Sequence, residues 1–350
     1  MKSHLYTISV FALAYQSLVA ANEFNLKKWS SVVIFGDSWT DQGTYSYIPN
    51  ENGTLSEPKL ITATGTSTGG RIWPQYIKQY SNQVNVYNYA VSGAMCDTLF
   101  SPTNRNGVEQ NQVPAFLKDL AWKNETSGAP AIKAPADETV YAIWIGTNDL
   151  GYAAFLAEQQ PHNMPLTAFS DCVYEQFDRV YQAGGRHFVI MNLGALELTP
   201  LYATLENNGI PISRFWKDKS IYDANITRTS EKIRQYSSTI NTLFEYQTPY
   251  EVQLAKRYPK SSFALFDTAS LISNMWHNPG TYLNGTTELN VTGSYLGCME
   301  SGCYYSNPHP DSFLWYDELH PSEQANRWFA KEFIEVVKGN SKMAKYWKSK

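Results

Sequence analysis

Five short segments rich in β-branched and aromatic residues recur along the 350-residue chain, near residues 32, 84, 139, 187 and 263. The first runs through residues 32–35 without a polar interruption, which is typical of a strand that is buried on both faces of a sheet. Segments with helical periodicity separate the strands. This alternation favours parallel pairing through right-handed crossovers. We therefore predict an α/β fold, a three-layer α/β/α sandwich around a flavodoxin-like, five-stranded parallel sheet.

The helical spacing of apolar residues predicts helices over residues 71–80, 166–182 and 220–257, and a last helix that opens at Pro321. The stretch 270–316 is expected to be a long aromatic loop, and the basic stretch 338–350 to be a solvated end. No internal repeat or low-complexity linker divides the chain. We predict a single domain over residues 22–350.

Residues 1–21 have the pattern of a secretory signal peptide, with an apolar run that is too short to span a bilayer. Five glycosylation sequons agree with secretion, and they begin at Asn52, Asn124, Asn225, Asn284 and Asn290. The net charge of −4 gives no reason to expect a nucleic-acid partner. We predict a secreted, extracellular glycoprotein without a membrane partner, and its oligomeric state stays open.

Four cysteines in an oxidising compartment predict two disulfides, for which three pairings are possible. Local closure of Cys298 with Cys303 would leave Cys96 to pair with Cys172. Because the cysteines and histidines show no metal-ligand spacing, we expect neither a metal nor another cofactor.

Polar residues that suit nucleophilic catalysis follow the predicted strands. The first strand ends in Gly36-Asp37-Ser38, which presents a hydroxyl at the carboxyl edge of the sheet, where ligands bind in such folds. Asp317 stands three residues before His320, so its carboxylate can orient the imidazole that would take the serine proton. Gly93 and Asn148 follow the second and third strands. With the N–H of Ser38 they would supply donors to an oxyanion.

Two rival assignments compete with this set. Gly65-Thr66-Ser67-Thr68-Gly69 matches the Gly-x-Ser-x-Gly nucleophile elbow of the α/β-hydrolases, but that elbow requires a buried strand directly before it. The preceding residues 60–64 are short and polar, which favours Ser38. Asp267 at the end of the fifth strand is a second candidate for the acid.

The blocks around Ser38, Gly93, Asn148 and His320 resemble, in their order, the four motif blocks of the SGNH (GDSL-type) hydrolases. The resemblance implies the α/β/α sandwich and ester hydrolysis. It also implies the roles of nucleophile for Ser38, base for His320, acid for Asp317 and oxyanion donors for Gly93, Asn148 and the Ser38 N–H. Softer features, among them the residue pattern at 71–74, are most similar to the secreted fungal acetylesterases of carbohydrate esterase family 16.

We therefore predict a carboxylic ester hydrolase that removes acetyl groups from carbohydrate hydroxyls, for example on acetylated xylo-oligosaccharides. Trp39 and Trp315 are candidates to line the sugar site. One alternative is a GDSL-type lipase or phospholipase that acts on longer acyl chains. Another, from a different class, is a catalytically silent sugar-binding glycoprotein.

Overall fold

The structure is a computed structural model that describes residues 24, 26, 28–43, 65–81, 84–102, 106–224, 226–299, 302–306 and 308–350. The predicted signal peptide and the sequons at Asn52 and Asn225 lie outside these residues. Within the described ranges, no helix is both long and apolar enough to cross a membrane.

The strands and helices of the described residues confirm the predicted alternation. The strands are β1 (Ser31–Gly36), β2 (Asn85–Asn88), β3 (Thr139–Trp144), β4 (His187–Met191), β5 (Ser262–Phe266), β6 (Asn290–Ser294), β7 (Leu296–Met299), β8 (Gly302–Tyr305), β9 (Phe313–Trp315) and β10 (Ala344–Lys348). The helices are α1 (Trp73–Tyr80), α2 (Val113–Ala121), α3 (Thr147–Leu150), α4 (Thr167–Gln182), α5 (Lys219–Tyr222), α6 (Ile226–Pro249), α7 (Thr268–His277), α8 (Pro279–Tyr282) and α9 (Glu323–Val337).

The central sheet has the strand order β10-β5-β4-β3-β1-β2. Strands β1 to β5 pair in parallel, as predicted from their apolar runs. The carboxyl ends of these strands therefore lie along one edge of the sheet, and the residues that follow β1, β2 and β3 are brought close together.

A sixth strand corrects the prediction of a solvated basic tail. Strand β10 pairs antiparallel to β5, with Tyr346 opposite Ala264 and Trp347 opposite Phe263. Both aromatic side chains pack against the core, whereas Lys345 is exposed. The apolar surface of the two rings stabilises a strand at this edge of β5, and the exposed lysine is a common protection of edge strands.

Helices cover both faces of the sheet. Tyr141 of β3 makes a ring contact with Phe116 of α2, while Trp144 contacts Trp73 of α1 and Phe329 of α9. Residues three apart in a strand point to opposite faces. Helix α2 therefore packs on one face and α1 and α9 on the other, in the predicted three-layer arrangement.

The stretch 270–316 is more regular than predicted, because it contains α7, α8 and the strands β6 to β9. Helix α7 buries Leu271, Ile272 and Met275, and the side chain of Asp267 caps it by accepting from Ser270 N. Strands β6 and β9 pair in parallel although some twenty residues separate them. Such pairing between very short strands leaves little periodic signal in the sequence.

Candidate active site

The side chains of Ser38, His320 and Asp317 form one hydrogen-bonded chain just beyond the end of β1. His320 Nε2 lies 2.8 Å from Ser38 Oγ, although 282 positions separate the two residues. On the other side of the ring, His320 Nδ1 lies 2.9 Å from Asp317 Oδ1. All three residues are buried. In such a chain the acid orients the imidazole, and the imidazole can take the proton of the hydroxyl.

Buried hydrogen bonds fix the end of β1 and the turn that carries Ser38. Thr40 N donates to Asp37 O at 3.0 Å, which closes the turn. The side-chain amide of Gln112, which is fully buried, donates to Gly36 O at 2.8 Å and accepts from Gly36 N at 2.9 Å. Because breaking buried hydrogen bonds is costly, these contacts hold the serine in place. Gln112 was not predicted from the sequence, where it belongs to no motif.

The turn from Asp317 to His320 is built by the aspartate itself. Asp317 Oδ1 accepts hydrogen bonds from Leu319 N at 2.9 Å and from His320 N at 2.8 Å, in addition to the contact with the ring. The sequence predicted a helix that opens at Pro321. Instead, Ser322 is the N-cap of α9, and its Oγ accepts from Ala325 N. The last helix therefore begins later than predicted.

Arg214 is a partner of the acid that sequence reasoning missed. Its Nη2 donates to Asp317 Oδ2 at 2.6 Å, and its Nε lies 3.4 Å from Glu318 Oε1. Burial by itself would raise the pKa of Asp317, but the charge of His320 and the hydrogen bonds that the carboxylate accepts outweigh it and keep this pKa below its ordinary value. Asp317 is therefore ionised at neutral pH, as the orienting role requires.

Two other buried carboxyls near the site have raised pKa values. Burial raises the pKa of Asp37 to about 6, against the opposing effects of a hydrogen bond from Trp39 N and of His320. Burial also raises the pKa of Glu318, whose Oε1 lies 3.3 Å from Ser213 Oγ. The three carboxyls thus differ in environment, and Asp317 is the one whose charge is stabilised.

Gly93 and Asn148 lie on neighbouring loops at the same edge of the sheet. The backbone of Gly93 has a φ of 78°, a left-handed conformation that favours glycine. Asp41 Oδ2 accepts from Ser92 N and Ser92 Oγ, both at 2.8 Å, and so holds this turn. Asn148 Nδ2 donates to Ala94 O at 2.9 Å, which joins the two loops. Both predicted oxyanion donors are partly exposed, as a site for substrate requires.

The rival assignments have other surroundings. Asp267 accepts from Asn192 Nδ2 at 2.9 Å and caps α7, so its carboxylate is engaged away from His320. Ser67 lies in a turn. The strand that an elbow at Ser67 would need falls on residues 60–64, outside the described residues. The hydroxyl that contacts His320 Nε2 is that of Ser38.

The prediction that Trp39 and Trp315 line a sugar site is wrong for this structure. Trp39 is 3% exposed and Trp315 is fully buried. The Trp39 ring packs edge-on against Trp144, with the ring centroids 5.4 Å apart, and Trp315 Nε1 donates to Val291 O. Both indoles belong to the hydrophobic core, so neither has a face open to a sugar.

The four cysteines form two disulfides, one between Cys96 and Cys172 and one between Cys298 and Cys303. This is the pairing that local closure of the second pair predicts.

Of the sequons in the described part of the chain, Asn284 is exposed and Asn124 and Asn290 are partly exposed. Among the described residues, no cluster of three or more histidine, cysteine, aspartate or glutamate side chains is arranged to hold a metal ion.

The hydrogen-bonded chain of Ser38, His320 and Asp317 is the arrangement that a serine-type hydrolase requires. Residues 32–333 match the family described as GDSL-like lipase/acylhydrolase, and the chain belongs to this family. An acetylesterase from Hypocrea jecorina is 36% identical over 327 residues, which are 90% of this chain and 91% of the relative. An acetylesterase from Thermothelomyces thermophilus is 23% identical over 318 residues, which are 88% of each chain.

Among solved structures, a variant of an acetyl-xylooligosaccharide esterase from Geobacillus stearothermophilus aligns with a TM-score of 0.40 and 13% identity. The alignment covers 89% of this chain and 94% of that one.

Proposed function

We propose that this protein is a secreted serine esterase that removes acetyl groups from carbohydrate hydroxyls. The observation that carries the proposal is the contact of 2.8 Å between Ser38 Oγ and His320 Nε2, backed by Asp317. Membership of the acylhydrolase family supports ester hydrolysis. The relative that is 36% identical is an acetylesterase, which supports acetate as the acid that is released.

In the proposed reaction, Ser38 Oγ attacks the acetyl carbonyl carbon while His320 Nε2 takes its proton. The tetrahedral intermediate collapses when His320 returns this proton to the sugar oxygen, and the sugar leaves with a free hydroxyl. Water then attacks the acetyl-enzyme with His320 as the base, and acetate is released. Asp317 stays ionised throughout and stabilises the imidazolium that forms in each step.

The negative oxygen of the intermediate needs donors that are already in place. The proposed donors are Ser38 N, Gly93 N and Asn148 Nδ2. The turn that Asp41 holds fixes Gly93, and the bond to Ala94 O orients the Asn148 amide. Because these groups are positioned before the substrate arrives, little reorganisation is needed as charge develops.

The cellular location is part of the proposal. The pattern of residues 1–21 supports secretion, and the two disulfides fit an oxidising compartment. The exposed Asn284 is a suitable acceptor for N-linked glycan. The substrates expected outside the cell are small esters and acetylated oligosaccharides.

Hydrolysis of 4-nitrophenyl acetate by purified variants tests the assignment of the nucleophile. Ser38→Ala should lower kcat by about 10⁴-fold or more, and Asp317→Asn by about 10³- to 10⁴-fold, because the asparagine no longer stabilises the imidazolium. Ser67→Ala is the matched control and should retain full activity. Activity that survives in Ser38→Ala and is lost in Ser67→Ala would contradict the proposal.

The acyl specificity is tested with 4-nitrophenyl esters of two to sixteen carbons, together with acetate release from acetylated xylo-oligosaccharides. We expect the acetyl ester to be the best of the series and the oligosaccharides to be deacetylated. A preference for long chains would show a lipase instead. Complete inertness toward both substrates and toward a fluorophosphonate probe would indicate a silent binding protein.

A further inference from the structure

Three tyrosine rings lie against one another next to the turn from Asp317 to His320. The ring centroids of Tyr316 and Tyr295 are 6.3 Å apart, and those of Tyr295 and Tyr305 are 4.9 Å apart. Tyr316 and Tyr295 are partly buried and Tyr305 is 63% exposed, and the side chains of Tyr305 and Tyr316 also interact directly. We propose that these three residues, called here the tyrosine ladder, bind the sugar rings of an acetylated oligosaccharide beside the triad. The inference rests on the proposed carbohydrate esterase function.

Backbone hydrogen bonds connect the tyrosine ladder to the triad. Tyr316 directly precedes Asp317, and its N donates to His320 O at 2.7 Å. Tyr295 N donates to Trp315 O at 3.0 Å, and Leu296 N donates to Tyr316 O at 2.6 Å. The ladder is therefore fixed to the same strand and turn that position the base, so a sugar held on it has a defined distance from the reacting ester.

The hairpin of β7 and β8 carries the outermost ring and contributes little to the core. All four residues of β8 are exposed. A two-stranded hairpin by itself is marginally stable in water. Here the disulfide between Cys298 and Cys303 joins the two strands, and Ser306 N donates to Tyr295 O at 2.8 Å. A hairpin that is stabilised in this way can hold Tyr305 at the surface in a set orientation, which lowers the entropic cost of binding.

The inner end of the ladder is held by the loop that contains Gly69. A Cβ atom at this glycine would lie 2.2 Å from the Tyr316 ring, and its φ of 69° also favours glycine. The backbone of the loop therefore packs directly on the ring and fixes its position. This close approach explains why a glycine is needed at position 69. In the sequence, Gly69 is part of the rival motif around Ser67.

The chemistry of the ladder fits a neutral sugar better than a fatty acyl chain. Tyrosine offers an apolar ring face, which packs on the C–H groups of a sugar, and a hydroxyl, which hydrogen-bonds to sugar hydroxyls. A long acyl chain would instead need an enclosed apolar groove, whereas Tyr305 stands open to solvent. In this proposal the tyrosines bind the sugar, a role that we predicted from the sequence for Trp39 and Trp315, which are buried in the core.

The test compares Tyr305→Ala with Tyr304→Ala as the matched control. The two residues are neighbours on β8 and so point to opposite faces of the hairpin, and Tyr304 packs over Gly297. For acetylated xylo-oligosaccharides, Tyr305→Ala should lower kcat/KM by about 3- to 10-fold, mainly through KM. For 4-nitrophenyl acetate its kcat/KM should stay within about twofold of the wild type, because this ester has no sugar to bind.

The control variant Tyr304→Ala should retain both activities, and Tyr305→Phe should recover most of the activity on oligosaccharides. An equal loss on both substrates in Tyr305→Ala, or no loss on either, would overturn the ladder. A loss confined to 4-nitrophenyl esters of long acids would also overturn it. If the wild type cleaves 4-nitrophenyl acetate but no sugar ester, the proposed function fails first, and the ladder fails with it.

Discussion

The ion pair between Arg214 and Asp317 supports a quantitative prediction about catalysis. Arg214 Nη2 lies 2.6 Å from Asp317 Oδ2, and the side chains of the two residues are 36% and 3% exposed. The perturbation is Arg214→Met. Methionine keeps an apolar stem beside Phe215, whose ring lies 4.6 Å from the guanidinium carbon, and it removes the charge and the donors.

The expected loss follows from the geometry. A hydrogen bond to a charged group contributes about 1.5–3 kcal/mol. Because about a third of the Arg214 side chain is exposed, solvent screens the pair, and about 1 kcal/mol is the better figure. In the proposed mechanism, Asp317 acts through His320, mainly when the imidazolium forms. We therefore expect kcat to fall by about 5-fold with KM nearly unchanged, at about 1.4 kcal/mol for each tenfold change.

The assay is steady-state hydrolysis of 4-nitrophenyl acetate, with urea unfolding measured in parallel. Arg257→Met is the matched control, because Arg257 is 27% exposed and also binds two carboxylates, those of Asp178 and Glu251. Both variants should lose similar stability, but only Arg214→Met should lose kcat. Equal kcat values in the two variants would refute the positioning role of Arg214.

Two further predictions concern stability. Burial raises the pKa of Asp37 from 3.8 to about 6. Its protonated form therefore stabilises the fold fully below about pH 4, and this stabilisation is lost as the pH rises through 6. As the pH rises from about 4 to about 8, the free energy of unfolding of Asp37→Asn, measured in urea, should therefore increase by up to about 3 kcal/mol relative to that of the wild type. A difference that stays constant with pH would contradict this. The disulfide Cys96–Cys172 spans 76 positions and Cys298–Cys303 spans 5. Loop-closure entropy predicts that removing the first lowers the free energy of unfolding by about 4.5 kcal/mol, and that removing the second lowers it by about 2 kcal/mol. A larger loss from the shorter loop, measured by urea unfolding of paired serine variants, would refute the entropic estimate.

Local patterns in the sequence were sufficient to predict the parallel sheet and the central residues of the candidate site. A strand that is buried on both faces must be apolar throughout, so β1 and β3 were visible as uninterrupted runs. The end of such a run places Ser38 at the carboxyl edge of the sheet. The contact between Asp317 and His320 spans only three positions, so the spacing alone makes it feasible.

Other features depend on contacts between distant parts of the chain. Arg214 reaches Asp317 across 103 positions, and Gln112 reaches Gly36 across 76 positions. Neither residue has a local pattern that marks it. In the same way, β10 forms because the edge of β5 is available for pairing, which the composition of a basic tail does not indicate.

The placement of the aromatic residues also depends on contacts between distant parts of the chain. The sequence determined that many aromatic rings are present and that some adjoin the motifs. Only the tertiary structure decided that Trp39 and Trp315 are buried while Tyr305 is exposed, because burial depends on which surfaces meet when the layers pack. Periodicity along the chain encodes which face of a strand or helix is apolar, but the neighbours of that face are set by the packing of the whole fold.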